Sequence, residues 1–250
     1  MTRTGKNTAP EGRLDGKTVI VLGGSSGIGY AVAEYALAEG AHVVIGSRHA
    51  GRIEAAVTAL GSNAEGHALD LADEHAIEAF FNAIGTFDHL VFTAGDSLRL
   101  GEVAATDLSQ ARRAFDIRYW GALAAVKYGA PHIVAGGSIV LTTGVAALRP
   151  RRGWTFGASV CGAMEALTRA LAVELAPLRV NAVSPGLIAT NLWQNMSDED
   201  RQAMYEQAGT HLPVGRVGAA RDVAAAYLSL MESGFATGQT YVVDGGAVLV

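Results

Sequence analysis

A turn rich in glycine follows the first β-branched run of the sequence, and its spacing suits the binding of phosphate groups. Residues 17–22 read as a strand, glycines stand at positions 23, 27 and 29, and apolar residues then recur at helical spacing. A strand, a glycine turn and a helix together bring backbone N–H groups and a positive helix end to a pyrophosphate. The alternative is a turn that only lets the helix pack tightly on the strand. We expect a dinucleotide to contact the following residues of this turn: Gly23, Ser25, Ser26, Gly27, Ile28 and Gly29.

The end of the second predicted strand indicates which dinucleotide this is. An acidic residue there accepts hydrogen bonds from the ribose hydroxyls of NAD and repels the extra phosphate of NADP. The sequence instead has Ser47, Arg48 and His49, with no carboxylate. Arg48 offers a planar cationic group suited to a 2′-phosphate, although a solvated surface cation is the alternative. We therefore predict NADP(H) rather than NAD(H), bound in part by Ser47, Arg48 and His49.

The elements that position these residues alternate along the whole chain. Short β-branched runs are followed by longer segments of helical period, which is typical of βαβ units feeding a parallel sheet. We predict an α/β fold, a Rossmann-type doubly wound sheet of about seven parallel strands with helices on both faces. Strands are expected at 17–22, 42–45, just before Asp70, and at 89–92, 138–142, 179–183 and 240–243, and one long helical tract at 107–134. No linker divides the chain, so we expect a disordered tail at residues 1–13 and a single dinucleotide-binding domain, which carries the substrate pocket, at 14–250.

Composition narrows the classes of partner. The chain has 250 residues, half of them hydrophobic, with a formal net charge of −5. This balance argues against nucleic acid or an anionic membrane surface as the main partner and favours a small-molecule substrate. Cys161 is the single cysteine, and the seven histidines lack the paired spacing of metal ligands, so we assign no metal site. No long uninterrupted apolar window occurs, and we expect a cytoplasmic protein.

Further motifs resemble those of the short-chain dehydrogenase/reductase family, over residues from about 14 to 250. The glycine turn is similar to the family's T-G-x-x-x-G-x-G, with Leu22 in place of the threonine. Phe92-Thr93-Ala94-Gly95 takes the place of N-N-A-G, residues 179–186 look like the family's strand leading to the nicotinamide, and Asp244-Gly245-Gly246 resembles the C-terminal signature. The resemblance implies that these residues also contact the cofactor: Asp70, Leu71, Ala94, Gly95, Pro185, Gly186, Ile188 and Thr190.

The same resemblance fails at the catalytic residues. The family works with Asn, Ser, Tyr and Lys, and the helix at 167–177 matches the family's helix after the Tyr and Lys. Counting back from it places Arg118 at Asn, Gly144 at Ser, Gly157 at Tyr and Cys161 at Lys. A register shifted by one residue makes Thr143 the Ser but places Phe156 and Val160 at Tyr and Lys. Neither register restores the phenol, so general acid catalysis, typically worth about 10²–10⁴-fold, needs another source.

Three residues are candidates to take over parts of the missing catalytic machinery. Thr143 could hold a substrate oxygen, or be a structural residue at a strand end. Arg118 could stabilise an oxyanion without giving up its proton, or form an ion pair with Asp116 or another carboxylate. Cys161 could act as a thiol acid, or be a small buried hydrophobe. Trp154 and Phe156 either line an apolar substrate pocket or belong to the core.

Three functions therefore stay open from the sequence. The first is an NADP(H)-dependent oxidoreductase on a small carbonyl, alcohol or imine substrate, with a nonstandard proton donor. The second is a non-redox enzyme, such as a cyclase, isomerase or dehydratase, that uses the cleft beside the cofactor. The third is a catalytically silent NADP-binding protein on the same fold. The resemblance also implies a homodimer or homotetramer.

Overall fold

The computed structural model describes residues 12–95, 101–194 and 196–250. The main strands are β1 Thr18–Leu22, β2 His42–Ser47, β3 Ala64–Ala68, β4 Phe87–Phe92, β5 Ile133–Thr142, β6 Arg179–Pro185 and β9 Thr240–Val243, with two short strands, β7 Ile188–Ala189 and β8 Gly218–Ala219. The helices are α1 Gly27–Ala38, α2 Ala50–Leu60, α3 Glu74–Ile84, α4 Leu108–Phe115, α5 Ala122–Gly129, α6 Thr155–Glu174, α7 Asp198–His211 and α8 Ala220–Glu232.

The seven main strands form one parallel sheet, which confirms the predicted fold. Their order is β3-β2-β1-β4-β5-β6-β9, with every neighbouring pair parallel. The chain runs outward from β1 to β3 and then returns to continue on the other side at β4. Ligands of open α/β sheets bind at such a reversal, outside the carboxyl ends of the strands.

Both faces of the sheet are covered by helices because alternate strand residues point to opposite sides. Val19, Val21 and Ile45 pack in one cluster with side chains of α1 and α8, while Ile20 and Leu22 pack in the other with side chains of α3, α5 and α6. Helix α6 is long and apolar enough, by length and composition, to cross a membrane. Its buried stripe, which includes Val160 and Met164, faces the sheet instead, as expected for a helix of the core.

One predicted element differs from the observed structure, and one observed pair of strands has no predicted counterpart. The tract 107–134 is not one helix: α4 and α5 are separated by a π-helical segment, Asp116–Gly121, and β5 already begins at Ile133. Helical periodicity cannot separate α- from π-helical turns, because both keep apolar residues on one face. The pair β7–β8 was also not predicted, since strands of two residues are too short for an alternating pattern.

The start of the described chain is attached to two helices. Arg13 forms ion pairs with Glu39, which follows α1, at 2.8 Å and with Glu232, the last residue of α8, at 3.0 Å. Residues 1–11 of the predicted tail lie outside the described residues. The assignment of residues 14–250 to one domain stays a prediction.

Candidate functional site

A cleft of about 390 Å³ lies at the carboxyl end of the sheet and contains every residue predicted to bind cofactor or to act in catalysis. The cofactor candidates on its wall are Gly23, Ser25, Ser26, Gly27, Ile28, Gly29, Ser47, Arg48, His49, Asp70, Leu71, Ala94, Gly95, Pro185, Gly186, Ile188 and Thr190. The catalytic candidates on its wall are Arg118, Thr143, Gly144, Gly157 and Cys161. The fold thus brings into one cleft residues that are far apart in the sequence.

Two glycines of the first turn are required by its geometry. Gly23 has a φ of 92°, a left-handed conformation that favours glycine, and a Cβ there would lie 2.6 Å from the backbone nitrogen of Ala94. A Cβ on Gly29 would overlap the carbonyl oxygen of Gly23 and the hydroxyl of Thr93. The turn is therefore packed directly against the end of β4.

The N-terminus of α1 fits the binding of a diphosphate. Ser26 occupies the N-cap position, yet its side chain accepts no capping hydrogen bond. The first N–H groups of a helix have no partner within the helix, and a side chain, water or ligand must satisfy them. Ser26, Gly27 and Ile28 all line the cleft. The donor set is thus backbone N–H groups at a positive helix end, which is the chemistry that a pyrophosphate requires.

The end of β2 forms the adjacent part of the wall. The Ser25 hydroxyl donates to the Ser47 hydroxyl at 2.9 Å, which joins the glycine turn to the residue before Arg48. Arg52, on the first turn of α2, lines the cleft beside Arg48 and was not predicted. Arg48 precedes α2, whose N-cap is His49, so helical spacing from Arg48 does not predict Arg52. This part of the cleft is cationic, as binding a 2′-phosphate requires.

Asp70 forms part of the same wall through a local turn. Its carboxylate accepts a hydrogen bond from the backbone N–H of Ala72 at 3.0 Å. That bond leaves acceptor capacity on the carboxylate for a donor in the cleft.

At the other end of the cleft, Thr143 and Cys161 are in contact. The Thr143 hydroxyl donates to the backbone carbonyl of Cys161 at 2.9 Å, so its proton is already committed. Burial raises the pKa of the Cys161 thiol, while the positive charge of Arg118 opposes that rise. The thiol therefore stays protonated at neutral pH. A Cβ on Gly144 would lie 3.1 Å from the Cys161 sulfur, which places both residues on one side of the cleft.

Arg118 is presented by the π-helical segment between α4 and α5. A Cβ on Gly95 would lie 2.5 Å from the Arg118 guanidinium carbon, so the guanidinium lies flat against the end of β4. Its charge also acts on the Cys161 thiol. Single π-helical turns are often found at functional sites, and this one holds a cation at the end of the cleft that Thr143 and Cys161 line.

Thr142, the last residue of β5, lines the cleft next to Thr143 and makes two hydrogen bonds there. Its hydroxyl donates to the Phe92 carbonyl at 2.6 Å and lies 2.7 Å from the Tyr227 hydroxyl. Since the threonine proton is used on Phe92, Tyr227 must be the donor of the second bond. Tyr227 is fully buried, and burial raises the pKa of its phenol, so the donor keeps its proton.

Of the two aromatic residues that were candidates for the substrate pocket, one lines the cleft, and several other wall residues were not predicted. Trp154 lines the cleft, whereas Phe156 is not among its lining residues. The wall formed by described residues contains no tyrosine and no lysine. The remaining wall residues that were not predicted come from strand ends, the π-helical segment, the turn after β5, helix α6 and the segment after β6: Leu69, Thr93, Ile117, Thr142, Val145, Ala146, Val160, Leu187, Asn191, Leu192, Trp193 and Gln194.

Comparison with known proteins gives similarities over nearly the whole chain. A family model described as enoyl-(acyl carrier protein) reductase matches residues 23–248. The chain is 33% identical to short-chain dehydrogenase/reductase ucsE from Acremonium sp, over 95% of this chain and 97% of that protein. A crystal structure of a small-chain dehydrogenase in complex with NADPH superposes with a TM-score of 0.85 and 41% identity, covering 94% of this chain and 100% of that one. The MalC Reductase/Diels-Alderase from Malbranchea aurantiaca gives a TM-score of 0.89 at 29% identity, covering 96% and 99%.

Proposed function

Because the chain belongs to the short-chain dehydrogenase/reductase family, we propose that it binds NADP(H) in the cleft and transfers hydride to or from a small substrate. The substrate class is a carbonyl compound, its alcohol, or an imine. One observation carries the proposal: a single cleft joins the uncapped N-terminus of α1, with Thr190 beside Gly27, to Arg118 and Cys161 at its other end. A cofactor held by its phosphates at the first end reaches the second.

The choice of NADP(H) is supported at the end of β2. Arg48 and Arg52 line the cleft there, beside the hydroxyl pair of Ser25 and Ser47. Guanidinium groups bind phosphate through paired N–H donors. A similar solved structure is in complex with NADPH, the cofactor that Arg48 predicts.

The proton that the substrate receives must come from a group other than the family's tyrosine. When bound, NADPH supplies a hydride to the substrate carbon, which leaves negative charge on the substrate oxygen. We assign Arg118 to stabilise that charge, since a fixed cation in a cleft acts where charge develops. Arg118 keeps its own proton. The proton then comes from water or from the Cys161 thiol, which burial keeps protonated. Thr143 orients the Cys161 segment rather than donating to substrate, because its proton is held by the Cys161 carbonyl.

Stereospecifically deuterated NADPH tests the proposal. A panel of small ketones, aldehydes and imines is incubated with each C4-deuterated form, and products are analysed by mass spectrometry. We expect deuterium from one form only, and we expect Arg118→Gln to lower kcat by about 10²-fold, as for the loss of an oxyanion-stabilising donor. Cys161→Ala separates the two proton sources, since a water route leaves kcat nearly unchanged.

A second function, cyclisation, isomerisation or dehydration without hydride transfer, has a specific observation in its favour. The described part of the cleft wall carries no tyrosine or lysine acid. The name of one similar structure joins the words reductase and Diels-Alderase. In this case the cofactor would shape the pocket, and the Arg118 charge would polarise a substrate carbonyl.

The two functions give opposite results with oxidised cofactor. If product forms equally well with NADP⁺ and NADPH and no deuterium is transferred, hydride transfer is excluded and the second function is supported. Tight NADPH binding with no product from any substrate of the panel would instead indicate a silent binding protein.

We also propose a cytoplasmic homodimer or homotetramer that packs through the long helices and the last strand. Large exposed apolar side chains on these elements support it: Trp120 between α4 and α5, Val173 on α6 and Tyr241 on β9. Light scattering measures the state, and Val173→Glu is expected to lower the mass if α6 forms the contact.

A further inference from the structure

A second hollow, the outer hollow, lies beside the main cleft. Its volume is about 380 Å³ and it is lined by Glu102, Val103, Ala104, Arg151, Arg152, Gly153 and Thr155. Two segments distant in sequence form it, and the Gly101 N–H donates to the Gly153 carbonyl at 2.9 Å between them. The hollow is therefore a feature of the tertiary structure that neither segment produces alone.

Trp154 connects the outer hollow to the cleft. It lines the cleft, while its chain neighbours Gly153 and Thr155 line the hollow. The guanidinium carbon of Arg151 lies 5.9 Å from the centre of the Trp154 ring. A ligand extending from the cleft across Trp154 thus meets Arg151 first.

The outer hollow is positively charged, although the chain as a whole carries −5. Arg151 and Arg152 contribute two cations, and Glu102 is the single carboxylate among the described residues of its wall. Glu102 pairs with Arg152 at 2.7 Å, but the two side chains are 59% and 85% exposed. Exposed ion pairs of this kind contribute little free energy, so a ligand anion that contacts both arginines can displace the carboxylate.

We propose that the outer hollow is an anion subsite for the substrate: the reacting group lies in the cleft, and a carboxylate or phosphate on a short arm reaches Arg151 and Arg152. The arm passes over the Trp154 ring. This inference rests on the proposed function for the location of the reacting group. It adds a substrate class, anionic small molecules, and a specificity-determining residue, Arg151.

Binding to the NADPH-saturated protein tests the subsite without turnover. Saturation fills the site beside Arg48, so that a phosphate probe cannot bind there. Benzyl phosphate and benzyl alcohol share the ring that would contact Trp154 and differ only in the phosphate. By NMR titration we expect benzyl phosphate to bind about fivefold or more tightly than benzyl alcohol, since phosphate and guanidinium form charge-assisted hydrogen bonds.

Four variants identify the residues responsible. Arg151→Gln should remove most of the preference for benzyl phosphate, and Glu102→Gln should increase it by about twofold, because the competing carboxylate is gone. Arg151→Glu should reverse the preference, so that benzylamine binds more tightly than benzyl phosphate. Arg221→Gln, which changes an exposed arginine on α8 at the opposite face of the sheet, should leave all affinities unchanged.

Equal affinities for benzyl phosphate and benzyl alcohol, or a preference that survives Arg151→Gln and Arg151→Glu, would overturn the subsite. Failure of NADPH to saturate the protein would overturn the proposed function instead. The two proposals therefore fail at different steps of the same experiment. Circular dichroism of each variant confirms that it is folded before titration.

Discussion

We expect Arg48 to discriminate between NADP(H) and NAD(H), two cofactors that differ by one phosphate. It lines the cleft directly after β2, and residues 46–49 contain no acidic side chain. We expect Arg48→Ala to weaken NADPH binding by roughly 10- to 50-fold and NADH binding by less than about twofold, because only NADPH presents a phosphate to the guanidinium. Fluorescence titration of the two cofactors measures both constants.

Arg52→Ala and Arg221→Ala complete this series. Arg52 lines the same wall, so Arg52→Ala should also reduce the affinity for NADPH, but by a smaller factor than Arg48→Ala does. Arg221 lies on α8, so Arg221→Ala should leave the affinity unchanged. Equal losses for NADPH and NADH in Arg48→Ala would mean that this residue shapes the pocket rather than reading the phosphate.

At the scale of elements, Thr142 connects β5 to β4 and to α8. Val91 and Val140 are the last register partners of β4 and β5, and beyond them the Thr142 hydroxyl bonds the Phe92 carbonyl. The Tyr227 phenol donates to the same hydroxyl from α8. Three elements therefore meet at one oxygen atom in the wall of the cleft, next to Thr143.

A double-mutant cycle measures this connection. Tyr227→Phe removes one donor and should cost about 1 kcal/mol of unfolding free energy, whereas Thr142→Val should cost about 2 kcal/mol because it leaves a buried phenol and a carbonyl without partners. The double variant should be more stable than the sum of these losses predicts, by about 1 kcal/mol. Urea unfolding gives all four values, and strictly additive losses would contradict the bond.

Some parts of the site were predictable from the sequence, and others were not. The glycine turn and the end of β2 were predictable because each is a local pattern with a direct structural meaning, whereas the residues at 185–190 were predicted only from the resemblance to the family's motifs. The π-helical segment that presents Arg118 was not, since its apolar spacing is compatible with one continuous helix. The outer hollow was not predictable either, because Gly101 and Gly153 meet only in the folded chain. That Gly144, Gly157 and Cys161 replace the family's Ser, Tyr and Lys stays a prediction.

At the scale of the whole molecule, a buried histidine makes stability depend on pH. His89 lies on β4, 5% exposed, with its Nδ1 2.9 Å from the Ser138 hydroxyl on β5. Burial lowers the pKa of His89 from 6.5 to about 4. Between these values the unfolded chain binds a proton that the folded chain does not, so the folded state loses stability as the pH falls.

We expect this loss to reach about 1.4 kcal/mol per pH unit between pH 6 and 4.5, and to vanish above pH 7. His89→Gln should flatten the dependence, because the amide remains neutral and can still bond Ser138. Urea unfolding from pH 4.5 to 7.5 measures the slopes, with His42→Gln as the control for an exposed histidine. An unchanged slope in His89→Gln would assign the loss to other groups.

The two ends of the cleft are built from different materials, and this has an evolutionary consequence. The phosphate end consists largely of backbone: Gly23 and Gly29 are fixed by close packing, and the helix end contributes N–H groups that every residue type possesses. The end at which we propose catalysis consists of side chains, Arg118, Thr143 and Cys161, carried by three separate parts of the chain. Substitutions of single side chains at one end can therefore change the reaction during evolution, while the backbone that binds the cofactor at the other end is retained. New reactions can arise in this way without a new fold.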